Sequence, residues 1–268
     1  MTKLKVTLEN VMGDDLDVVK DAKVSFDNDT SVQPLNWETV ALSPWLTREQ
    51  PNLTDKQRNL IKFLVRGMSS SDYENLADEI ATCGDINRVK ELMWQFRKTP
   101  IHAAPFGHGY LKFTVEAPVF VARQLVKHEY LRMSEVSRRY VQGDTEYFLP
   151  DNFAKFAEYV KQGSDGLLDG DAGADALALA RLAVADSDDA YKQLMAQGVA
   201  PEDARMILPL CHMTRWRWSG SLDAFMNMCV LRLDAHAQSY TREVAGMIGK
   251  YIKRAFPQSW ASYVDGDI

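Results

Sequence analysis

With 268 residues and 30.3 kDa, the chain is long enough to bury roughly 70–75% of the surface its unfolded form exposes, in one large domain or two small ones. Its 46% hydrophobic and 25% charged residues exclude the disordered and collagen-like classes, and a formal charge of −6 argues against a nucleic-acid groove or an anionic membrane as main partner. An anionic small molecule remains open if basic residues cluster locally. No apolar run reaches the ~20 residues that span a bilayer, and MTKLKVTLENVMGDD has no signal-peptide pattern, so a cytoplasmic location is expected. Cys83, Cys211 and Cys229 form no CxxC pair and leave one over in any disulfide scheme, which predicts reduced thiols acting as small buried apolar residues.

In chain order, KLKVTLENV alternates as a strand, and Asp14 or Asp15 caps a short helix through Lys20. Residues 27–54, with Pro34, Pro44 and Pro51, read as loop. Apolar spacing of three to four residues predicts amphipathic helices over Gln57–Val65, Tyr73–Ile80 and Ile86–Phe96. Tyr110–Val115 alternates as a strand, and Pro118 stands where a proline opens a helix, VFVARQLVKHEYL. Two further helices are expected at about 151–161 and 174–197, separated by the Gly/Asp-rich loop QGSDGLLDGDAGAD. Met206–Trp218 is a mixed apolar and aromatic run, after which Ser219 or Ser221 caps a long C-terminal helix from Leu222 to about Ile252. No repeat or βαβ alternation is present, so the class is α+β, with mixed helices and an antiparallel sheet.

Basic residues concentrate in RQLVKHEYLRMSEVSRRY (Arg123–Tyr140), which packs Arg123, Lys127, His128, Arg132, Arg138 and Arg139 into 18 residues of an acidic protein. Such a block suits phosphate binding; a solvated charged face, or an ion pair of Glu135 with Arg138 or Arg139, explains it as well. Gln124, Lys127 and His128 fall at i, i+3 and i+4 of the helix that Pro118 opens, and Ser134 and Ser137 predict a break beyond it.

At these residues the chain resembles the flavin-dependent thymidylate synthases. Their signature R-H-R-x-x-S-x-N-E-x-S-x-R-Y is met in frame by Lys127, His128, Glu129, Arg132, Ser134, Glu135, Ser137, Arg139 and Tyr140, of which His128, Glu135, Ser137, Arg139 and Tyr140 match. PVFVARQ (Pro118–Gln124) precedes it as in the family, and TPIHAAPFGHGYLKF (Thr99–Phe113) resembles the stretch around H-x-x-P-F-x-H. ARMILPL (Ala204–Leu210) is similar to an arginine followed by leucine-proline, and NMCVLRLDAHAQ (Asn227–Gln238) to N-x-x-x-L-R-x-x-x-x-A-Q. Val11–Leu16 and Ala22–Phe26 also fit. The order of the blocks is preserved, and the resemblance covers the chain except for inserts near 27–85 and 152–200 of a single 1–268 domain.

The resemblance implies a homotetramer with sites at subunit interfaces that methylates dUMP at C5 to give dTMP. Methylenetetrahydrofolate supplies the carbon, and FAD, recharged by NADPH, supplies the hydride. Carried over, Gln124, Lys127, Glu135, Ser137, Arg138, Arg139, Arg205 and Arg232 surround the nucleotide, while His102, Lys127, His128, Glu129, Ser221, Asn227 and His236 face the flavin. Arg139 and Arg205 suit a phosphate of about two negative charges through forked bonds. Arg232 meets charge that develops on the pyrimidine carbonyls, and Ser137 binds and positions.

Outside that resemblance Arg232 reads as a surface ion-pair partner, with Asn227, Leu231 and Asp234 on one helix face. His102 and His108 lack further ligands at metal spacing, so no metal is expected. Trp216, Trp218, Met226 and Met228 read as core and subunit-interface packing. Departures gather on the flavin side, where Ala104, Gly107, Glu129 and Asp223 replace the family's residues. A reversed charge about 4 Å away matters by up to ~4 kcal/mol at an effective dielectric of about 20. Arg123, Arg215 or Arg217 are the cations that would compensate. The alternatives are C5 hydroxymethylation, action on a deoxycytidine monophosphate, and a non-catalytic nucleotide-binding paralogue.

Overall fold

The structure, a computed structural model, describes residues 3–24, 50–98, 101–141, 144–157 and 164–266. Most of the loop expected over 27–54 lies outside them. The chain gathers into two compact units, each built from three separate segments: Met1–Glu9, Lys112–Ser219 and Met228–Ile248 in one, Asn10–Leu111, Gly220–Asn227 and Gly249–Ile268 in the other.

The first unit contains most of a four-stranded sheet in the order β1-β2-β6-β3, formed by β1 (Lys5–Met12), β2 (Tyr110–Pro118), β3 (Leu131–Glu135) and β6 (Met213–Ser221). Alternation decides which side chains go inward. In β6, Trp216 and Trp218 are buried, with ring centroids 6.4 Å apart and edge to face, while Arg215 and Arg217 project from the opposite face. Arg217 is committed to Glu9 and to the Thr114 hydroxyl, and Thr114 also donates to Glu9 Oε1 at 2.6 Å. The expected core role of both tryptophans, Met226 and Met228 holds, all four being buried.

In the second unit, helices form where caps and periodicity agree. The Asp14 carboxylate accepts from the Leu16 and Asp17 amides and opens α1 (Asp15–Val24), which runs past the expected end at Lys20. Thr54 and Gln57 form a reciprocal capping box for α2 (Asp55–Arg66), which Gly67 ends in the left-handed conformation at φ 69°. Ser69 caps α3 (Ser70–Thr82), and α4 (Ile86–Lys98) and the single turn α5 (Ala104–Gly107) follow. The buried Asp15 carboxylate takes the Gln258 and Ser259 amides and the Ser259 hydroxyl at 2.5–2.9 Å, fixing the start of α11 (Pro257–Tyr263). Gly249 is required nearby, because a Cβ there would meet the Trp260 ring at 2.5 Å.

Three expected elements differ. The helix that Pro118 opens, α6 (Val119–Leu125), is shorter than expected. The His128 amide donates to the Leu125 carbonyl in a tight turn, and Tyr130, at φ 64°, reverses the chain into β3. Pairing with β6 therefore overrides the helical spacing of Gln124, Lys127 and His128, so Lys127 and His128 sit beyond the helix. Second, 151–161 is no helix among its described residues, since β4 (Ala154–Phe156) pairs antiparallel with β5 (Ser164–Leu167), a strand inside the expected Gly/Asp loop. Helix α7 (Gly170–Ala196) bears out the one expected at 174–197 and is followed by the single turn α8 (Pro201–Ala204). Third, the single helix expected from Leu222 to Ile252 is two, α9 (Leu222–Arg232) and the 17-residue α10 (Ser239–Ala255). Asp234 accepts from the His236 amide at 2.7 Å, an alternative to the helical ladder that places it outside the face shared by Asn227 and Leu231. Of the cysteines, all free, only Cys229 is fully buried.

Candidate active site

All of the expected nucleotide residues except Arg139 divide between two cavities of the first unit that share no lining residue. The smaller, of about 530 Å³, is lined by Glu135, Ser137, Arg138, Arg205, His212 and Arg215, with Glu116, Asp144 and Glu146 among its acids. β3 delivers Glu135, whose Oε1 accepts from the Thr214 hydroxyl at 2.7 Å rather than from Arg138 or Arg139. Ser137 starts a turn in which its Oγ accepts from the Arg139 amide and its carbonyl from the amides of Tyr140 and Val141. His212 Nδ1 donates to the Pro209 carbonyl at 2.9 Å, and burial lowers its pKa.

Arg139 does not line this cavity. Its guanidinium pairs with Glu202 Oε2 at 3.0 Å and lies 5.6 Å from the Tyr140 ring. Arg205 Nε also contacts Glu202, through the backbone carbonyl at 3.3 Å. Both arginines of the expected phosphate clamp thus converge on one acidic residue of α8.

The larger cavity, about 1120 Å³, has an aromatic wall of Phe120, Phe148 and Tyr240, with centroids 4.9–6.3 Å apart, and a polar side of Gln124, Lys127, Arg232, His236 and Arg242. Gln124 Nε2 donates to Gln238 Oε1 at 2.7 Å, and the buried Thr241 hydroxyl lies 3.1–3.2 Å from both amide oxygens, which fixes the Gln124 side chain. Arg232, the last residue of α9, donates from Nε to His128 Nε2 at 2.8 Å and from Nη2 to the Gln124 carbonyl at 3.2 Å. Burial, then the Arg232 charge, pull the His128 pKa down to about 4, so its imidazole is neutral at pH 7. His128 itself lies outside the cavity lining; His236 is exposed and bonded to Asp234.

The remaining flavin-side residues do not join either cavity. Glu129 is exposed in the turn after α6. His102, Ser221 and Asn227 belong to the second unit: His102 stacks on Phe63 at 5.7 Å, Ser221 ends β6, and Asn227 Oδ1 accepts from the Tyr263 hydroxyl at 2.9 Å. Asp223 is in the same unit, with Oδ1 buried and unbonded; burial, and then the Asp223 charge, raise the Tyr263 pKa. Of the compensating cations, Arg217 is taken up by Glu9, and Arg215 opens on the smaller cavity. Sequence reasoning missed Glu202, His212, Thr241 and the aromatic wall. Gln238 stood inside the Asn227–Gln238 block and was the one legible signal; the others become neighbours only through the fold.

Fold and site define an α+β protein whose cationic and amide side chains converge on two cavities of its first unit. The family model described as thymidylate synthase complementing protein matches residues 7–258, and the chain belongs to that family. It is 39% identical over 163 residues to the flavin-dependent thymidylate synthase of Thermus thermophilus, covering 60% of this chain and 59% of that protein. With the Kosmotoga olearia flavin-dependent thymidylate synthase the identity is 32% over 164 residues, 61% of this chain and 71% of that one. The chain thus aligns with about three fifths of the length of the Thermus relative. The fold is also that of the UMP/dUMP methylase PolB from Streptomyces cacaoi, solved with 5-Br dUMP, at a TM-score of 0.69 and 21% identity over 98% of this chain and 97% of that one. No described helix is long and apolar enough to cross a membrane.

Proposed function

We propose that the chain is a flavin-dependent thymidylate synthase that methylates dUMP at C5, working in the cytoplasm as a homotetramer. In this reading the two cavities are complementary halves of one nucleotide site, the smaller from one copy and the larger from another. The observation that carries it is Arg232: a guanidinium anchored on its Nε/Nη2 edge, lining a cavity large enough for stacked ring systems, beside an oriented amide. Neither half holds the whole expected set, which supports assembly from two copies.

Ser137, Arg138 and Arg205 bind the nucleotide phosphate, joined by Arg139 when it leaves Glu202. Gln124, its amide fixed by Gln238 and Thr241, presents polar atoms to the pyrimidine edge. Arg232 faces the ring carbonyls, where negative charge builds as C5 takes the one-carbon unit, so it stabilises the transition state more than the bound substrate. The aromatic wall with Lys127, Arg242 and His236 around it fits a planar dinucleotide with an anionic linker, as FAD is. When bound, the flavin supplies the hydride that completes the methyl group, with methylenetetrahydrofolate as carbon donor and NADPH as reductant.

Incubation of the purified protein with dUMP, methylenetetrahydrofolate, FAD and NADPH tests the reading. Mass spectrometry should show dTMP. A hydroxymethylated nucleotide, or nucleotide binding in calorimetry without any product, would overturn it.

A further inference from the structure

His128 is expected on the flavin side, yet its Nε2 points at Arg232 and it stands outside the cavity that Arg232 lines. A half-buried guanidinium commonly pairs with a carboxylate. Here both anchors of the guanidinium, the His128 imidazole and the Gln124 carbonyl, are uncharged. A carboxylate would cancel much of the charge that the guanidinium has to offer a reacting carbonyl; a neutral acceptor fixes its plane and leaves the charge intact. The two bonds use Nε and one Nη2 proton, on the same edge, leaving Nη1 and the second Nη2 proton to a ligand.

We propose that His128 is the positioning residue of Arg232, a neutral hydrogen-bond acceptor that orients the guanidinium without neutralising it. The arrangement requires the proton of His128 on Nδ1, because Nε2 must offer its lone pair; a second proton would set two cations 2.8 Å apart. The proposal rests on the reading of Arg232 as the group that meets charge on the pyrimidine.

Four variants and two readouts test it. Nitrogen-15 spectra of histidine- and arginine-labelled protein at pH 7 should show His128 as the Nδ1–H tautomer and a slowly exchanging Arg232 Nε–H, whose protection is lost in His128→Ala. In turnover, His128→Ala should lower kcat about a hundredfold, as a displaced catalytic group does, with KM for dUMP little changed. His128→Gln, whose side-chain oxygen is a neutral acceptor, should restore most of that loss. His128→Ala combined with Arg232→Ala should be no slower than Arg232→Ala alone. Additive losses in the double variant, or a change confined to KM, would overturn the proposal, as would an Arg232 Nε–H that exchanges equally fast with and without the imidazole. If the wild-type protein makes no product, the methyl-transfer reading fails, and the spectra still decide whether His128 holds Arg232.

Discussion

Arg139 and Arg205, proposed above to hold the nucleotide phosphate, both contact Glu202, one through its carboxylate and one through its backbone carbonyl. The Glu202 carboxylate lies 3.0 Å from the Arg139 guanidinium, so under the proposed function nucleotide binding competes with an internal ion pair. Both partners are about half exposed, and such pairs are worth ~0.2–1 kcal/mol. Glu202→Gln should therefore tighten dUMP binding about two- to fivefold at low salt, and less at high salt, in calorimetric titrations. Arg205→Ala should act in the opposite direction, weakening dUMP at least about tenfold. His128 carries a different signature. Its folded pKa of about 4 lies below the 6.5 of an ordinary histidine, so between those values the unfolded chain holds a proton that the folded chain does not. Stability should fall as pH drops from 6.5 toward 4, and denaturant midpoints of His128→Gln should fall less over that window.

Elements were legible wherever local signals sufficed. Thr54 with Gln57, and Ser69 with the Asp72 amide, cap α2 and α3 through contacts within a few residues, and both helices lie where apolar spacing put them. The misread elements answer to distant partners: α6 stops because β3 must reach β6, and Ala154–Phe156 pairs as a strand with Ser164–Leu167. The start of α11 depends on Asp15, 243 positions away in sequence from Gln258. Asp15→Ala would leave two amides and a hydroxyl without their acceptor in a buried place, costing about 1–3 kcal/mol. The urea midpoint should drop while the slope stays unchanged.

At the scale of the molecule, two cavities without a shared residue make a specific prediction for mixed assemblies. Arg205→Ala disables the smaller cavity and Arg232→Ala the larger, and each variant alone should be inactive. Co-expressed in equal amounts, they should recover activity in about a quarter of the sites, the share that random pairing gives two intact halves. Complementation absent from a mixture shown by mass spectrometry to contain hetero-oligomers would place the complete site within one copy.

The sequence by itself determined the family, the α+β class and most of the cationic and amide residues now found around the cavities. Some of these residues act within one local element: Ser137 Oγ accepts from the Arg139 amide in the turn after β3, and Arg232 ends the helix that begins after Ser221. Tertiary structure decided how those residues are used. It divided the expected nucleotide residues other than Arg139 between two cavities, paired His128 with Arg232, gave Arg217 to Glu9 and set Glu202 against Arg139. Those contacts join residues far apart in the chain, whose distances are fixed by strand order and helix ends and not by any local pattern.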